Sequence, residues 1–227
     1  MPASLFSHPL FGLAECILAY SLGLWINRKI RSPLTNPLCL AIAALIAAHY
    51  LAGIPYGDFN QGGRVLTMLL PPAIAGLAVI VHRQRSLLRT ALLPLLAGCV
   101  AGSAASVASV YLLGRALGLD RALLVSLLPK SVTAPIAASL ASGHGGAASI
   151  AAAAVIFTGM LGSVAAPFLC RLFRVTDPLI QGVAIGTSSH AVGTARAVEL
   201  GEVQGAASSV AIAIAGLATS CLFLLLA

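Results

Sequence analysis

The sequence predicts an all-α, polytopic transmembrane helical bundle with two interrupted helices related by a two-fold internal repeat. Three observations predict it. Of 227 residues, 59% are hydrophobic and only 8% charged, with mean hydropathy +1.00, whereas soluble domains carry about 25% charged residues. A soluble protein could not cover its surface with so few. Apolar runs of about 18 residues or more, the length that crosses a bilayer as a helix, recur along most of the chain. Finally, the motif Gly146-Ala147-Ala148-Ser149 returns as Gly205-Ala206-Ala207-Ser208, a shift of 59 residues.

In chain order, intact spans are predicted near 9–26, 37–54, 66–81, 90–113, 147–169 and 205–226. The first two are richer in Leu and Ile and are expected to face lipid. Pro71-Pro72 interrupts the third, as a gating element or a kink. The later spans are filled with small residues, as in "AGSAASVAS" at 101–109, which let helices approach closely in lipid. Two further segments, 122–142 and 179–200, are apolar but interrupted. Pro129 and Pro135 break the first, and Gly182, Gly186 and Gly193 loosen the second. On the 59-residue shift, Lys130 and Ser131 fall on Ser189 and His190, and Thr133 and Pro135 fall on Val192 and Thr194. The expected organisation is one membrane domain over 1–227. Residues 1–113 are scaffold helices, and 122–170 and 179–227 are the two repeat units.

The formal net charge of +7 is not pooled on one stretch. Arg28, Lys29 and Arg31 follow the first run, Arg83, Arg85 and Arg89 the third, and Arg171 and Arg174 a later one. That punctuation fits cytoplasmic loops rather than nucleic-acid binding. With Arg28–Arg31 inside, a fully crossing 122–142 places Arg171 and Arg174 outside, against the positive-inside tendency. A segment that dips in and returns places them inside and inverts the second unit relative to the first. The inverted arrangement is favoured; parallel repeats are the competing reading. The five cysteines are dispersed without a CxxC and read as core residues. The N-terminus lacks a basic stretch, which argues against a cleaved signal peptide.

Non-helical backbone at membrane depth is tolerated only where protein buries it or water reaches it. The interrupted segments are therefore where chemistry is expected. Freed N–H groups and half-helix N-termini bind anions. Lys130, the only lysine after residue 30, adds a full charge; its alternative role is snorkelling to an interface. His190, in "GTSSHAVGTA", suits proton coupling or hydrogen bonding to a carboxylate, or is satisfied by a backbone carbonyl. Lys130, Ser131, Thr133, Ser189, His190 and Thr194 are the candidate substrate-binding residues. Pro71, Pro72, Pro129, Pro135, Gly186 and Gly193 are the candidate gating or helix-break residues. The hydroxyls have an alternative as local caps. Arg196 and Glu199 are spaced to pair on a helix. Glu15 lies within the first span near its end and is expected to face a headgroup, with proton coupling as its alternative role. Lys130 and Ser131 are adjacent and cannot face each other as nucleophile and base. No GxSxG, HExxH or carboxylate pair is present, so neither an enzyme, a metal nor a cofactor is expected.

Several stretches together resemble the LrgB/CidB family of bacterial membrane proteins over nearly the whole chain. They are "NPL" at 36–38, "IPY" at 54–56, "LLPPAIAGLA" at 69–78, "LPKSVTAPIA" at 128–137, "TGMLGS" at 158–163 and "GTSSHAVGTARAVELGE" at 186–202. The chain departs from the family pattern at Pro71, at 79–84 and at Glu15, where Gly, a Pro-Leu-Tyr and Thr are more usual. The resemblance implies a multi-pass protein of the bacterial cytoplasmic membrane, working beside a smaller LrgA/CidA-type membrane protein. It implies two functions. One is holin-like or antiholin-like control of murein hydrolase export and cell lysis. The other is carriage of small carboxylates, as in a plastid relative resembling a glycolate/glycerate translocator and bacterial relatives tied to pyruvate. A paired, broken, cationic midplane site suits a carrier of small 2-hydroxy- or 2-keto-carboxylates better than a simple lytic hole, and that is the expectation. Self-association is left open.

Overall fold

In a computed structural model of the protein, residues 8–30 and 36–226 are described; the N-terminal stretch and Arg31 lie outside them. Eleven helices and no strand occur among the described residues. The chain divides into two compact units, Met1–Gly76 and Leu77–Ala227.

The first unit is built on α1 (Pro9–Ile30), α2 (Pro37–Ala52) and α3 (Tyr56–Thr67). Asn36 starts α2, its Oδ1 accepting from the N–H of Leu38 at 2.9 Å. Gly53 ends it at φ 64°, a left-handed conformation that suits glycine. Backbones touch where glycines face each other. A Cβ on Gly62 of α3 would lie 2.6 Å from Cα of Gly12 in α1. Glu15 does not simply face outward: its Oε2 meets His49 Nε2 of α2 at 2.9 Å, and the Phe59 ring packs edge-on against that imidazole.

Pro71 and Pro72 do not interrupt a span. The run turns at Met68–Leu69, and α4 (Leu70–Arg83) begins just before them. In a first helical turn the N–H that proline lacks has no intrahelical partner to lose. Short α5 (Arg85–Thr90) follows.

The second unit rests on three 25-residue helices, α6 (Leu92–Ala116), α9 (Ala148–Leu172) and α11 (Glu202–Leu226). With the first helix (Leu10–Ile30), these are the four described helices long and apolar enough to cross a membrane. Between them lie the two interrupted segments. The first is α7 (Arg121–Leu127), a non-helical stretch over 128–133, and α8 (Ala134–Gly143). The second is α10 (Pro178–Leu200), kinked at His190. Each starts on an aspartate cap. Asp120 Oδ1 accepts from Leu123 N at 2.7 Å, and Asp177 Oδ1 from Leu179 N at 2.8 Å.

Contacts along α11 show that both segments turn back on themselves. As the chain runs from Gly182 to Gly186, its close neighbours climb from Gln204 and Ala207 to Ser208 and Ala211. They then descend, from Ser208 at Thr194 to Gly205 at Val198. At the other end of α11, Arg121 and Leu124 line one pocket with Leu226. Val125 and Leu128 cluster with Phe223. The returning limb touches Gly216 through Ile136 and Phe223 through His144. The hairpins thus enter from opposite ends of α11 and reach its middle between Ala211 and Gly216. Their limbs are short enough for this: at 1.5 Å rise per residue, ten residues span about 15 Å.

Candidate functional site

The first tip is made by proline chemistry. Pro129 has no N–H to give the carbonyl of Val125, so α7 ends in turns, with Lys130 N bonded to Leu127 O and Val132 N to Pro129 O. Pro129 is fully buried. Thr133 is the extended N-cap residue of α8, though its side chain makes no cap bond, and Pro135 lies in that helix's first turn. Lys130 does not snorkel to an end of the bundle. Its Nζ donates to Ser106 Oγ of α6 at 3.2 Å and to Ser131 Oγ at 3.5 Å. The two hydroxyls are 2.7 Å apart. No carboxylate pairs with Lys130 among the described residues.

The second tip is made by packing. His190 adopts φ 43°, ψ −140°, unusual for a residue with a side chain. Its imidazole is buried and meets the Val155 carbonyl of α9 at 2.8 Å, which makes Nε2 the protonated donor nitrogen. The ring is thus satisfied by a backbone carbonyl. Gly159 makes room for it: a Cβ there would lie 2.6 Å from His190 Cε1. Ser189 is buried against Gly162 and bonds Ser188 Oγ at 2.9 Å. Thr194 Oγ1 donates to the His190 carbonyl at 2.9 Å and lies 2.6 Å from Ser208 Oγ, which can donate to it in turn.

Gly186 and Gly193 do not break the helix; the break is at His190. Gly186 instead lets α10 rest on the backbone of Ser208, and Gly193 sits inside the bend against Ile185 and Ser189. Both tips belong to the surroundings of α9. Val132 shares a buried cluster with Val155, and His190 bonds the carbonyl of Val155. The six candidate binding residues therefore fall into two groups, Lys130, Ser131 and Thr133 at the first tip and Ser189, His190 and Thr194 at or within a turn of the second. Lys130 is tied to α6, while His190 is tied to α9. Reading by residue type misses Ser106, one of many small residues in "AGSAASVAS", and Val155, whose contribution is a backbone atom. The glycines of "TGMLGS" are the visible trace of the second tip's seat. Among the described residues no three His, Cys, Asp or Glu side chains converge as a metal site would require.

The profile of the LrgB-like family matches residues 16–227. The chain belongs to the LrgB-like family. It is 35% identical over 212 residues to the antiholin-like protein LrgB of Bacillus subtilis, covering 93% of this chain and 92% of that protein. It is 32% identical over 212 residues to the antiholin-like protein LrgB of Bacillus mycoides, with the same coverage. It is 35% identical over 187 residues to the Bacillus subtilis protein YwbG, carried as uncharacterized, covering 82% of this chain and 83% of that one. No solved structure matches. Together with the four long apolar helices, membership makes the chain a multi-pass membrane protein of the LrgB-like family.

Proposed function

We propose that this LrgB-like protein is a secondary carrier of small 2-hydroxy- or 2-keto-carboxylates such as glycolate, glycerate or pyruvate. Its site lies between the two hairpin tips. The observation that carries this reading is the unaccompanied charge of Lys130. The chain has six acidic residues. Glu15 pairs with His49, Glu199 with Arg196 and Glu202 with Arg83. Asp120 and Asp177 are caps, and Asp58 is in the first turn of α3. None serves Lys130, so an anion from outside is the natural counter-charge for a cation at membrane depth. The second limbs of both hairpins begin at the tips and run outward to opposite ends. Their N-terminal N–H groups and dipoles thus converge on the space a carboxylate would occupy. Ser106, Ser131, Thr133, Ser189 and Thr194 supply hydroxyls around it, and His190, whose Nε2–H is held by the Val155 carbonyl, has Nδ1 left to accept from a substrate hydroxyl or to take up a coupled proton.

Opposed hairpins meeting at the midplane are the inverted-repeat plan of many carriers. The arginines agree with it. Arg83, Arg85, Arg89, Arg171, Arg174 and Arg196 fall at the end where α11 starts, and Arg115 and Arg121 at the other. By the positive-inside tendency the first end is cytoplasmic. The membrane would be the bacterial inner membrane, and a smaller LrgA/CidA-type protein would be the partner.

The second reading is an antiholin-like regulatory subunit whose effect on murein hydrolase export and lysis is indirect. The names of the curated relatives favour this reading over the carrier. Counterflow separates the two. The purified protein, with and without its smaller partner, is placed in liposomes and exchange of labelled glycolate, glycerate and pyruvate is followed. The carrier reading expects saturable exchange of at least one. Absence of exchange with all three sinks it, and size-insensitive dye leakage points to a hole.

A further inference from the structure

Buried hydroxyls in the second unit are paired, with one exception among the described residues. Thr219 Oγ1 of α11 is buried and has no hydrogen-bond partner. A threonine within a helix ordinarily turns to the carbonyl four residues back, which here is Ala215. That carbonyl is instead approached by Ser103 Oγ of α6, at 3.5 Å. Its neighbours one turn to either side locate Thr219. Ala215 meets Ser103, and Phe223 clusters with Val107. Ser103 and Val107 are themselves one turn apart, so Thr219 faces the α6 turn between them. That turn also carries Ser106, the residue that holds Lys130 and Ser131. An unpaired buried hydroxyl is costly, and the helix that carries this one packs on the α6 turn that bears Ser106.

We propose that Thr219 is a specificity-determining residue whose hydroxyl bonds the oxygen at the 2-position of the substrate, while Lys130, Ser106 and Ser131 hold its carboxylate. This rests on the carrier reading above. A hydroxyl donates equally to a keto oxygen or to another hydroxyl, which accounts for a class containing both. A plain short-chain carboxylate leaves Thr219 unpaired, and sites built to bond a substrate oxygen discriminate strongly against analogues that lack it.

Glycolate and acetate differ only by that hydroxyl, so their competition for exchange is the test, with Thr219→Val removing the bond and keeping the shape. The unsubstituted protein should prefer glycolate by about tenfold or more. The Val variant should lose that preference while unfolding at no lower temperature, because it removes an unpaired group. Thr219→Ser should restore the preference. A Val variant that still prefers glycolate overturns the proposal and leaves the carrier reading standing. Should Val fail to fold, Thr219→Cys carries the same test. No exchange by the unsubstituted protein removes the carrier reading and this inference with it.

Discussion

At the scale of single residues, the two tips are made by different physics. Lys130 is legible in the sequence because a charge between two prolines in an apolar run has few structural uses. His190 is legible as a polar residue but not as the site of the bend, since histidine is no helix breaker. Its positive φ is imposed by the Val155 carbonyl and by space at Gly159. Such conformations cost about 1–3 kcal/mol and persist only where the surroundings over-determine them. The size of that cost is open to test. His190→Gly and His190→Ala both lose the ring and its bond, but only the glycine relaxes the backbone. The Gly variant should therefore be more stable than the Ala variant by about 1–2 kcal/mol in unfolding. Equal stabilities would mean the bend is unstrained.

At the scale of elements, the spans are legible to within a few residues because length and apolarity define them. The third is not, since Pro71-Pro72 can start a helix as readily as stop one, and "NQGGR" ahead of them holds the polar half of α3. The glycines of the second interrupted segment mislead for a related reason. A glycine permits a break and a close approach alike, and only the neighbouring helix decides which. At Gly186 the neighbour is the backbone of Ser208, which cannot yield. Gly186→Ala should therefore destabilise the protein by about 1–3 kcal/mol, the cost of overpacking, seen as a lower midpoint of thermal unfolding. A midpoint at or above that of the unsubstituted protein would show that α10 and α11 are not held in this register.

At the scale of the whole molecule, the two broken segments are legible in Pro129 and Pro135 and in the polar stretch around His190, while the 59-residue relation between them is an expectation from the sequence. These features leave open whether each segment crosses or returns. That question turns on which faces of α11 the limbs touch, and these are set by Ile136, His144, Thr194 and Val198 rather than by any local motif. If the hairpins return as described, single cysteines on a cysteine-free background should label in pairs. Arg121→Cys and His144→Cys should react from one side of the membrane, and Arg174→Cys and Glu199→Cys from the other. Labelling of positions 121 and 144 from opposite sides would contradict the fold.

Function rests most heavily on the charge of Lys130, unmatched by any acid in the second unit. Exchange of labelled glycolate in liposomes by the protein carrying Lys130→Met tests it directly. Methionine fills a similar volume without the charge, and removing an unpaired interior charge does not weaken the fold. The prediction is a protein that unfolds at or above the original temperature and whose exchange rate falls to the level of protein-free vesicles. Exchange with unchanged kinetics would remove Lys130 from the site and with it the central claim.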